Sequence, residues 1–189
     1  MNTPAHLLIG TALVSNTLGK GLLLAAFLGS LAPDLSLYLM TAFCLFVLDI
    51  PASVVFDELY FSDLWQSVFA IDNSFLVWGL LLGIGFYYKK PWILAFTTAA
   101  IFHLITDFTL HNDDARMHFW PVTHWRFESP LSYWDSSHHA QWIAPLEGLI
   151  SAVAAVVLWM QNGRVWQRII IFVLLLMELL VIRSWLMYF

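Results

Sequence analysis

Long, continuous runs of apolar residues recur along this chain from end to end, for example over residues 22–28, 76–88 and 169–177. A helix that crosses the roughly 30 Å of hydrocarbon in a bilayer needs about 20 mostly apolar residues. The strands of a membrane β-barrel would instead alternate apolar and polar residues. The composition agrees with helices, since 60% of the residues are hydrophobic and only 11% are charged. The chain is therefore predicted to be an all-α, polytopic transmembrane helix bundle.

The apolar pattern predicts about five to six helical segments within one integral membrane domain, residues 1–189. The segments run over about residues 6–16, 20–48, 73–88, 91–110, 142–160 and 167–189. The first segment is too short to cross a bilayer by itself. No basic region precedes it and no small-residue cleavage pattern follows it, so a removable signal peptide is not expected.

The short and the long connections between these segments differ in charge. The basic residues of the short turns are Lys20, Lys89, Lys90, Arg164 and Arg168. Basic turns lie on the cytoplasmic side of membrane proteins. The two long loops, residues 49–72 and 111–141, are therefore predicted to face outward. Apolar residues near helical spacing in the first loop fit either a helix on the membrane surface or a lid over a neighbouring site.

The charge and the cysteine content exclude several classes of function. A formal charge of −5 gives no basic surface for nucleic acid, and no glycine-rich phosphate loop follows a strand pattern. Nucleic acid and nucleotides are therefore not expected as partners. Cys44 is the only cysteine, which rules out an intramolecular disulfide or a thiolate cluster within the chain. A metal ion would have to be held by His, Asp or Glu.

Several ionisable residues lie inside the apolar segments, where a charged side chain costs roughly 3 kcal/mol unless it is paired. His6 and Asp34 each lie 14 residues from Lys20, and His103 lies 13 residues from Lys90. At about 1.5 Å per residue, these three residues lie at a similar depth in the membrane. The proline that precedes Asp34 breaks its helix, which is a common way to aim a polar residue into a bundle. The sequence predicts that the three side chains meet.

The segment over residues 91–110 and the loop after it carry a regular stripe of His and Asp. Its members are His103, Asp107, His111, Asp114 and His118, at offsets of four, four, three and four. This spacing predicts one face of a continuous helix, and His and Asp one turn apart can hold one metal ion or form a carboxylate–histidine pair. The whole stripe would span roughly 22 Å, so either two ions bind or only some members are ligands. Asp113, Arg116 and Glu128 are predicted to be solvated loop residues.

A second group of potential ligands precedes the segment over residues 142–160. It consists of Asp135, His138 and His139, and adjacent histidines point in different directions, so we expect one of the two to coordinate. The serines between them lack a nucleophile-elbow pattern, which argues against a Ser/His/Asp hydrolase. Glu147 lies one helix turn inside the next segment and is a candidate general base beside Asp107.

Four stretches of the sequence resemble the membrane-bound metal-dependent hydrolase family, a bacterial group thought to be distantly akin to zinc-dependent phospholipase C. The stretches are PAHLLIG, GSLAPDLSLYL, FHLITDFTLHNDDARMHFWP and WRFESPLSYWDSSHH. The resemblance implies His6, Asp34, His103 and Asp107 as metal-site residues, with His111, Asp114 and His118 as additions. Many members carry a His-Arg-Gly-x-Thr-His-Ser motif between the second and third stretches. This chain lacks it, and the loop histidines after Asp107 are the candidates to replace it.

These observations lead to one main hypothesis, a membrane-embedded metal-dependent hydrolase. Its metal ligands are expected among His6, Asp34, His103, Asp107, His111, Asp114, His118, His138 and His139. Mixed imidazole and carboxylate ligands suit a divalent ion such as Zn, with Mn or Fe as alternatives. The expected substrate is a lipid or a lipid-linked phosphoester or ester at the outer face. The expected location is the cytoplasmic (inner) membrane of a bacterium, with the site toward the periplasm.

The main alternative is an ion or proton transporter, because embedded carboxylates and histidines also build ion pathways. A haem-binding bundle would need paired axial ligands that face each other, and the many carboxylates argue against it. A purely structural membrane protein would leave the depth-matched ionisable residues unexplained.

Overall fold

The structure is a computed structural model that describes residues 1–188, with the side chains of residues 1–187. Over this part of the chain 76% of the residues are helical and no strand occurs, which confirms the predicted all-α class. The helices are α1 (Thr3–Leu18), α2 (Leu23–Leu31), α3 (Leu35–Phe46), α4 (Ala52–Val54), α5 (Asp63–Asp72), α6 (Phe75–Tyr87), α7 (Pro91–Leu110), α8 (Ala140–Gln161) and α9 (Val165–Tyr188).

Five stretches of the described residues are long and apolar enough to cross a membrane, in agreement with the predicted multi-pass character. They are Lys20–Phe46, Asp63–Tyr87, Pro91–Leu110, Ala140–Gln161 and Val165–Met187. The exposed faces of these helices are rich in large apolar side chains, as expected of surfaces that meet lipid. The side of the membrane that each loop faces stays a prediction.

Helix α1 does not lie at the edge of the bundle but inside it, against α2, α7, α8 and α9. At about 1.5 Å per residue its 16 residues span roughly 24 Å, less than the hydrocarbon core. Its buried face packs Leu8 and Ala12 against Ala154 and Ala155 of α8. Small residues on both helices let the backbones approach closely. Because α1 is surrounded by other helices, the opposite face is buried too, and His6 on it lies against His103 and Thr106 of α7.

The helix over residues 23–46 is broken where the sequence predicts it, at the proline before Asp34. A 3₁₀ turn over Ala32–Asp34 separates α2 from α3. Just before the break, Gly29 lies so close to α7 that a Cβ atom there would come within 2.0 Å of the Phe96 carbonyl oxygen. Only glycine fits such an approach. The close contact brings the end of α2 against the middle of α7, where His103 lies.

The first long loop is more ordered than the sequence suggests. The prediction of a loop over residues 49–72 was wrong for residues 52–59 and for Asp63–Asp72, which are helical. The apolar residues near helical spacing had indicated a helix in this loop, but not its bounds. Ser62 caps α5, since its hydroxyl accepts a hydrogen bond from the Trp65 N–H. Trp65 and Phe69 are buried against Cys44 and Val55. Burial of these large side chains stabilises a helix whose sequence mixes apolar and polar residues.

The predicted continuous helix through the His and Asp stripe was also wrong. Helix α7 ends at Leu110, and His111 is extended with φ −108° and ψ 134°. The chain then runs irregularly to a 3₁₀ turn at Ser136–His138, which agrees with the predicted second long loop. Asp113 and Glu128 are exposed as predicted, but Arg116 is only 8% exposed. The expectation of a solvated Arg116 was therefore wrong as well.

Candidate metal centre

Several side chains converge on Asp107, which lies in the last turn of α7. Its Oδ1 is 2.8 Å from Nε2 of His6 on α1, and its Oδ2 is 3.0 Å from Nε2 of His103, one turn earlier on α7. One ligand atom of each residue lies within 4.8 Å of those of the other two, and all three side chains are buried. The two imidazole rings stack in parallel, with 3.6 Å between their centroids. We call His6, His103 and Asp107 the Asp107 group.

The nitrogens that face Asp107 are buried but make no hydrogen bond. These atoms are Nε2 of His6 and Nε2 of His103. Each lies near a carboxylate oxygen, yet without the direction that an N–H···O bond requires. Buried polar atoms almost always have a partner. Ligand atoms that face a common point, rather than one another, have the arrangement that a bound cation satisfies.

The other nitrogen of each ring is held by a hydrogen bond to the protein. Nδ1 of His103 donates to the Ser30 carbonyl oxygen at 2.8 Å. Nδ1 of His6 lies 3.3 Å from the Thr106 hydroxyl, whose own hydrogen goes to a backbone carbonyl. A neutral imidazole has one N–H and one lone pair, so a proton on Nδ1 leaves the lone pair on Nε2. Both rings are therefore oriented with their Nε2 lone pairs toward Asp107, as in metal sites with outer hydrogen-bond partners.

Asp34 lies at the rim of the Asp107 group. Its Oδ1 is 3.6 Å from Nε2 of His103, and its Oδ2 accepts a hydrogen bond from the Thr3 hydroxyl at 2.9 Å. The Asp34 side chain is 18% exposed, against 6% for Asp107. The break before α3 thus directs Asp34 toward His103, and Asp34 lies outside the group of three residues whose ligand atoms could share one ion.

His111 reaches Asp107 although the helix has ended before it. Its Nε2 lies 3.2 Å from Asp107 Oδ1, and its Nδ1 donates to Asp114 Oδ2 at 2.7 Å. Burial raises the pKa of Asp114, but the hydrogen bond and charge of His111 and the charge of Arg116 bring it below its usual range. Asp114 is therefore ionised and orients the His111 ring, so it acts as an outer partner rather than as a member of the Asp107 group.

The start of the chain also contacts this region. The Met1 amino group lies 3.0 Å from Asp107 Oδ1 and 3.4 Å from His111 Nε2. The next backbone N–H, of Asn2, donates to Glu147 Oε1 at 2.7 Å. The structure therefore places Glu147 behind the start of α1. Its other oxygen and both oxygens of Glu178 on α9 are buried without a hydrogen bond. The catalytic role predicted for Glu147 stays a prediction.

The structure does not bring His118 to the Asp107 group. Its Nδ1 donates to the Asn73 carbonyl oxygen at 2.9 Å, and its ring packs against Phe75 and Phe108. Burial lowers the pKa of His118 to about 4, so the ring is neutral at physiological pH. This histidine ties the second long loop to the start of α6, which is a structural contact.

The His and Asp residues before α8 form a separate pair. Nδ1 of His138 donates to Asp135 Oδ2 at 2.5 Å, and Asp135 also accepts hydrogen bonds from the Ser137 N–H and hydroxyl. We call these two residues the Asp135 pair. The neighbouring His139 is exposed and left-handed, with φ 69°, at the start of α8. Within residues 1–188, none of the three belongs to the group that could hold a metal ion.

A cavity of about 330 Å³ adjoins the Asp107 group. Asp34, Asp107 and His111 line it, together with Arg116 and Tyr60. The last two were not among the predicted site residues. One signal was available for Arg116, namely a basic residue between the ligand-capable Asp114 and His118. No signal marked Tyr60, because its contact with Arg116 joins two distant loops.

Tyr133 lies on the wall of the same cavity and was missed as well. Burial raises the pKa of its phenol well above the usual range, and the Asp114 and Asp107 carboxylates raise it further. Tyr133 is therefore a protonated hydroxyl, able to donate a hydrogen bond into the cavity.

Comparison of the chain with models of protein families, with curated proteins and with solved structures found no match.

Proposed function

We propose that this protein is a membrane-embedded metal-dependent hydrolase that acts on a lipid or a lipid-linked phosphoester or ester. The observation that carries the proposal is the Asp107 group, whose ligand atoms lie within 4.8 Å of one another in a buried site. Two buried imidazole nitrogens without hydrogen bonds, both oriented by partners on the opposite ring atom, have the chemistry of metal ligands. The resemblance of four sequence stretches to a metal-dependent hydrolase family supports the same proposal.

The spacing of the polar atoms fits a small divalent ion. Four ligand atoms about 2 Å from a tetrahedral ion lie about 3.3 Å apart. The Nε2 atoms of His6 and His111 lie 2.8 and 3.2 Å from Asp107 Oδ1, and that of His103 lies 3.0 Å from Oδ2 and 3.6 Å from Asp34 Oδ1. The Met1 amino group lies 3.0 Å from Oδ1, so a bound ion would replace that contact. His6, His103 and Asp107 would hold the ion, with Asp34 or His111 as a further ligand. Imidazole and carboxylate ligands favour Zn, and permit Mn or Fe.

When bound, such an ion lowers the pKa of a coordinated water toward about 7 and polarises a phosphoryl or carbonyl oxygen. The residues of the chain would orient the ligands and accept a proton. Ser30 and Thr106 hold the two imidazoles so that Nε2 of each faces the reaction centre. If His111 is the further ligand, the Asp34 carboxylate, which lines the cavity, would be free to take a proton from water.

The position of the site favours a substrate that reaches it from a membrane surface. Asp107 lies three residues before the end of α7, at about 4.5 Å along the helix axis. Transporters place their substrate sites near the middle of the bilayer. The cavity is lined by the apolar residues Leu37, Met177 and Val181 as well as by polar ones, which suits a lipid with a polar head group. The basic short turns and the resemblance support a bacterial inner membrane with the site toward the periplasm.

The proposal is tested by elemental analysis and activity of the detergent-purified protein. We expect about one divalent ion per chain in the wild type and release of phosphate or fatty acid from a phospholipid panel in mixed micelles. The variant His103→Asn keeps a donor near the Nδ1 position and removes Nε2, so it should lose both metal and activity. His124→Ala changes an exposed histidine of the second long loop and serves as the control.

Two results would contradict the proposal. One is a wild type without bound metal after purification and after incubation with Zn, Mn or Fe. The other is metal-dependent ion flux in proteoliposomes that needs Asp34 and Asp107, without hydrolysis, which would establish the transporter instead.

A further inference from the structure

Arg116 is a buried guanidinium without a carboxylate partner. It is 8% exposed, and no Asp or Glu oxygen of residues 1–188 lies within ion-pair distance of its nitrogens. A buried arginine is almost always paired. Its one hydrogen bond to a side chain goes from Nη2 to the Tyr60 hydroxyl, at 2.7 Å. Arginine has five N–H donors, so most of its donors are not used within the described protein.

The guanidinium lies against two aromatic rings. Its central carbon lies 4.4 Å from the centre of the Phe69 ring and 5.0 Å from that of Tyr60. An aromatic ring attracts the positive charge of a guanidinium but accepts none of its N–H groups in the ring plane, so these groups remain able to bind an oxyanion. Arg116 lines the same cavity as Asp107 and His111. The free N–H groups therefore have access to a ligand that also reaches the proposed metal centre.

We infer that Arg116, supported by the Tyr60 hydroxyl, binds the phosphoryl group of the substrate beside the metal centre. The inference rests on the proposed function and narrows its substrate class to phosphate esters. A phosphoryl group offers two charged oxygens to one guanidinium, whereas the carbonyl of a carboxylic ester offers one uncharged oxygen. The protonated Tyr133 hydroxyl on the cavity wall is a further donor for a phosphoryl oxygen.

A purely structural role for Arg116 would be to balance the charge of the cavity carboxylates. That role needs no free donors and no particular orientation of the guanidinium plane. It would be met best by a direct ion pair with Asp114, and no such pair is present, although both residues line the cavity. A buried guanidinium without a carboxylate partner, and with one side-chain hydrogen bond, thus favours a bound oxyanion.

The test uses inorganic phosphate as the probe and isothermal titration calorimetry of the detergent-solubilised full chain, both metal-loaded and metal-free. We expect Arg116→Gln to weaken phosphate binding about 10- to 100-fold and to leave acetate binding and metal content unchanged. Arg126→Gln is the matched control, since Arg126 lies in the same loop but is exposed and contacts Gln66. Equal phosphate affinity of the wild type and Arg116→Gln would overturn the inference.

Two milder variants keep the test decisive if Arg116→Gln does not fold. Arg116→Lys keeps the charge but loses two-pronged binding, and Tyr60→Phe removes only the hydroxyl that holds the guanidinium. Both should weaken phosphate binding while metal content stays at the wild-type level. Unchanged phosphate affinity in both variants counts against the inference.

Metal content and phosphate binding also separate the two proposals. If the protein binds metal and Arg116→Gln has the same phosphate affinity as the wild type, the proposed function stands and the inference is overturned. A protein without metal that still binds phosphate through Arg116 overturns the proposed function alone. Competition by phosphatidic acid against diacylglycerol in the same micelles then distinguishes a lipid phosphate from a free one.

Discussion

The Asp107 group and the Asp135 pair contain the same two residue types, His and Asp, but differ in whether their polar atoms have hydrogen-bond partners. The Asp135 pair is complete within its own turn, because His138 and Ser137 supply the hydrogen bonds that its carboxylate needs. The Asp107 group joins two distant helices in a buried site and leaves Nε2 of His6 and of His103 without a hydrogen bond. His and Asp residues close together in the sequence can thus form a hydrogen-bonded turn. Buried His and Asp residues whose nitrogens lack hydrogen bonds instead indicate a binding site.

The largest effect should come from Asp107→Asn, which removes the charge on which His6, His103 and the Met1 amino group converge. Removing one partner of the buried ion pair between Met1 and Asp107 lowers the free energy of unfolding by about 3–5 kcal/mol, and the bound metal should be lost with it. Detergent-unfolding curves and elemental analysis check both effects. Asp135→Asn is the matched change in the half-buried Asp135 pair and should leave metal content at the wild-type level. If the two variants behaved alike, the distinction between the two regions would be wrong.

The next effect is on metal affinity alone and compares two histidines. His103→Asn should weaken metal binding by about 100-fold or more, beyond the 10- to 100-fold that loss of an outer partner brings. His138→Asn should leave the affinity unchanged, because its ring is used by Asp135. Competition with a metal-binding dye measures both affinities. Loss of metal in His138→Asn would instead show that the loop histidines are metal ligands, as predicted from the sequence.

A smaller effect is expected from the hydroxyl behind His6. Thr106→Val keeps the shape of the side chain but removes the oxygen that lies 3.3 Å from Nδ1 of His6. We expect metal affinity to fall about 10-fold, which is typical of an outer hydrogen-bond partner. Thr109→Val is the control, because Thr109 makes the same bonds to backbone carbonyls and contacts no histidine. Equal affinities of the two variants would show that the orientation of His6 does not depend on Thr106.

The smallest effect concerns the pH response of the Asp135 pair. The hydrogen bond from His138 and those from Ser137 lower the pKa of Asp135 to about 2. Because the pKa in the folded chain is depressed, any stabilisation is present at neutral pH and is lost as the pH falls from about 4 toward 2. A carboxyl NMR titration should give a midpoint near 2 for the wild type. The midpoint should be higher in His138→Ala. An unchanged midpoint would show that His138 does not stabilise the negative charge of Asp135.

Much of the fold could be predicted because a bilayer demands long apolar helices whose backbone groups are satisfied internally. The segment over residues 91–110 matches α7, and the break at Asp34 follows from its proline. The bounds of α5 could not be predicted, although apolar residues near helical spacing indicated a helix in this loop, because Trp65 and Phe69 gain stability from tertiary contacts with Cys44 and Val55. Contacts of this kind leave no local sequence pattern that marks where a helix begins and ends.

The features of the site likewise divide into those that the sequence determines and those that depend on tertiary packing. The amino-acid sequence alone supplies the residue types, the embedded positions of His103 and Asp107 and their spacing of one helical turn, because a membrane tolerates few ionisable groups. It could not select among the nine proposed ligands, since distance depends on how α1 and α2 pack against α7. Packing brings His6 to Asp107, leaves His118 in an aromatic contact and buries Arg116 in a loop that reads as solvated. The physical reason is that helical periodicity fixes neighbours one turn apart, whereas contacts across about a hundred residues of chain depend on the shape of the whole bundle.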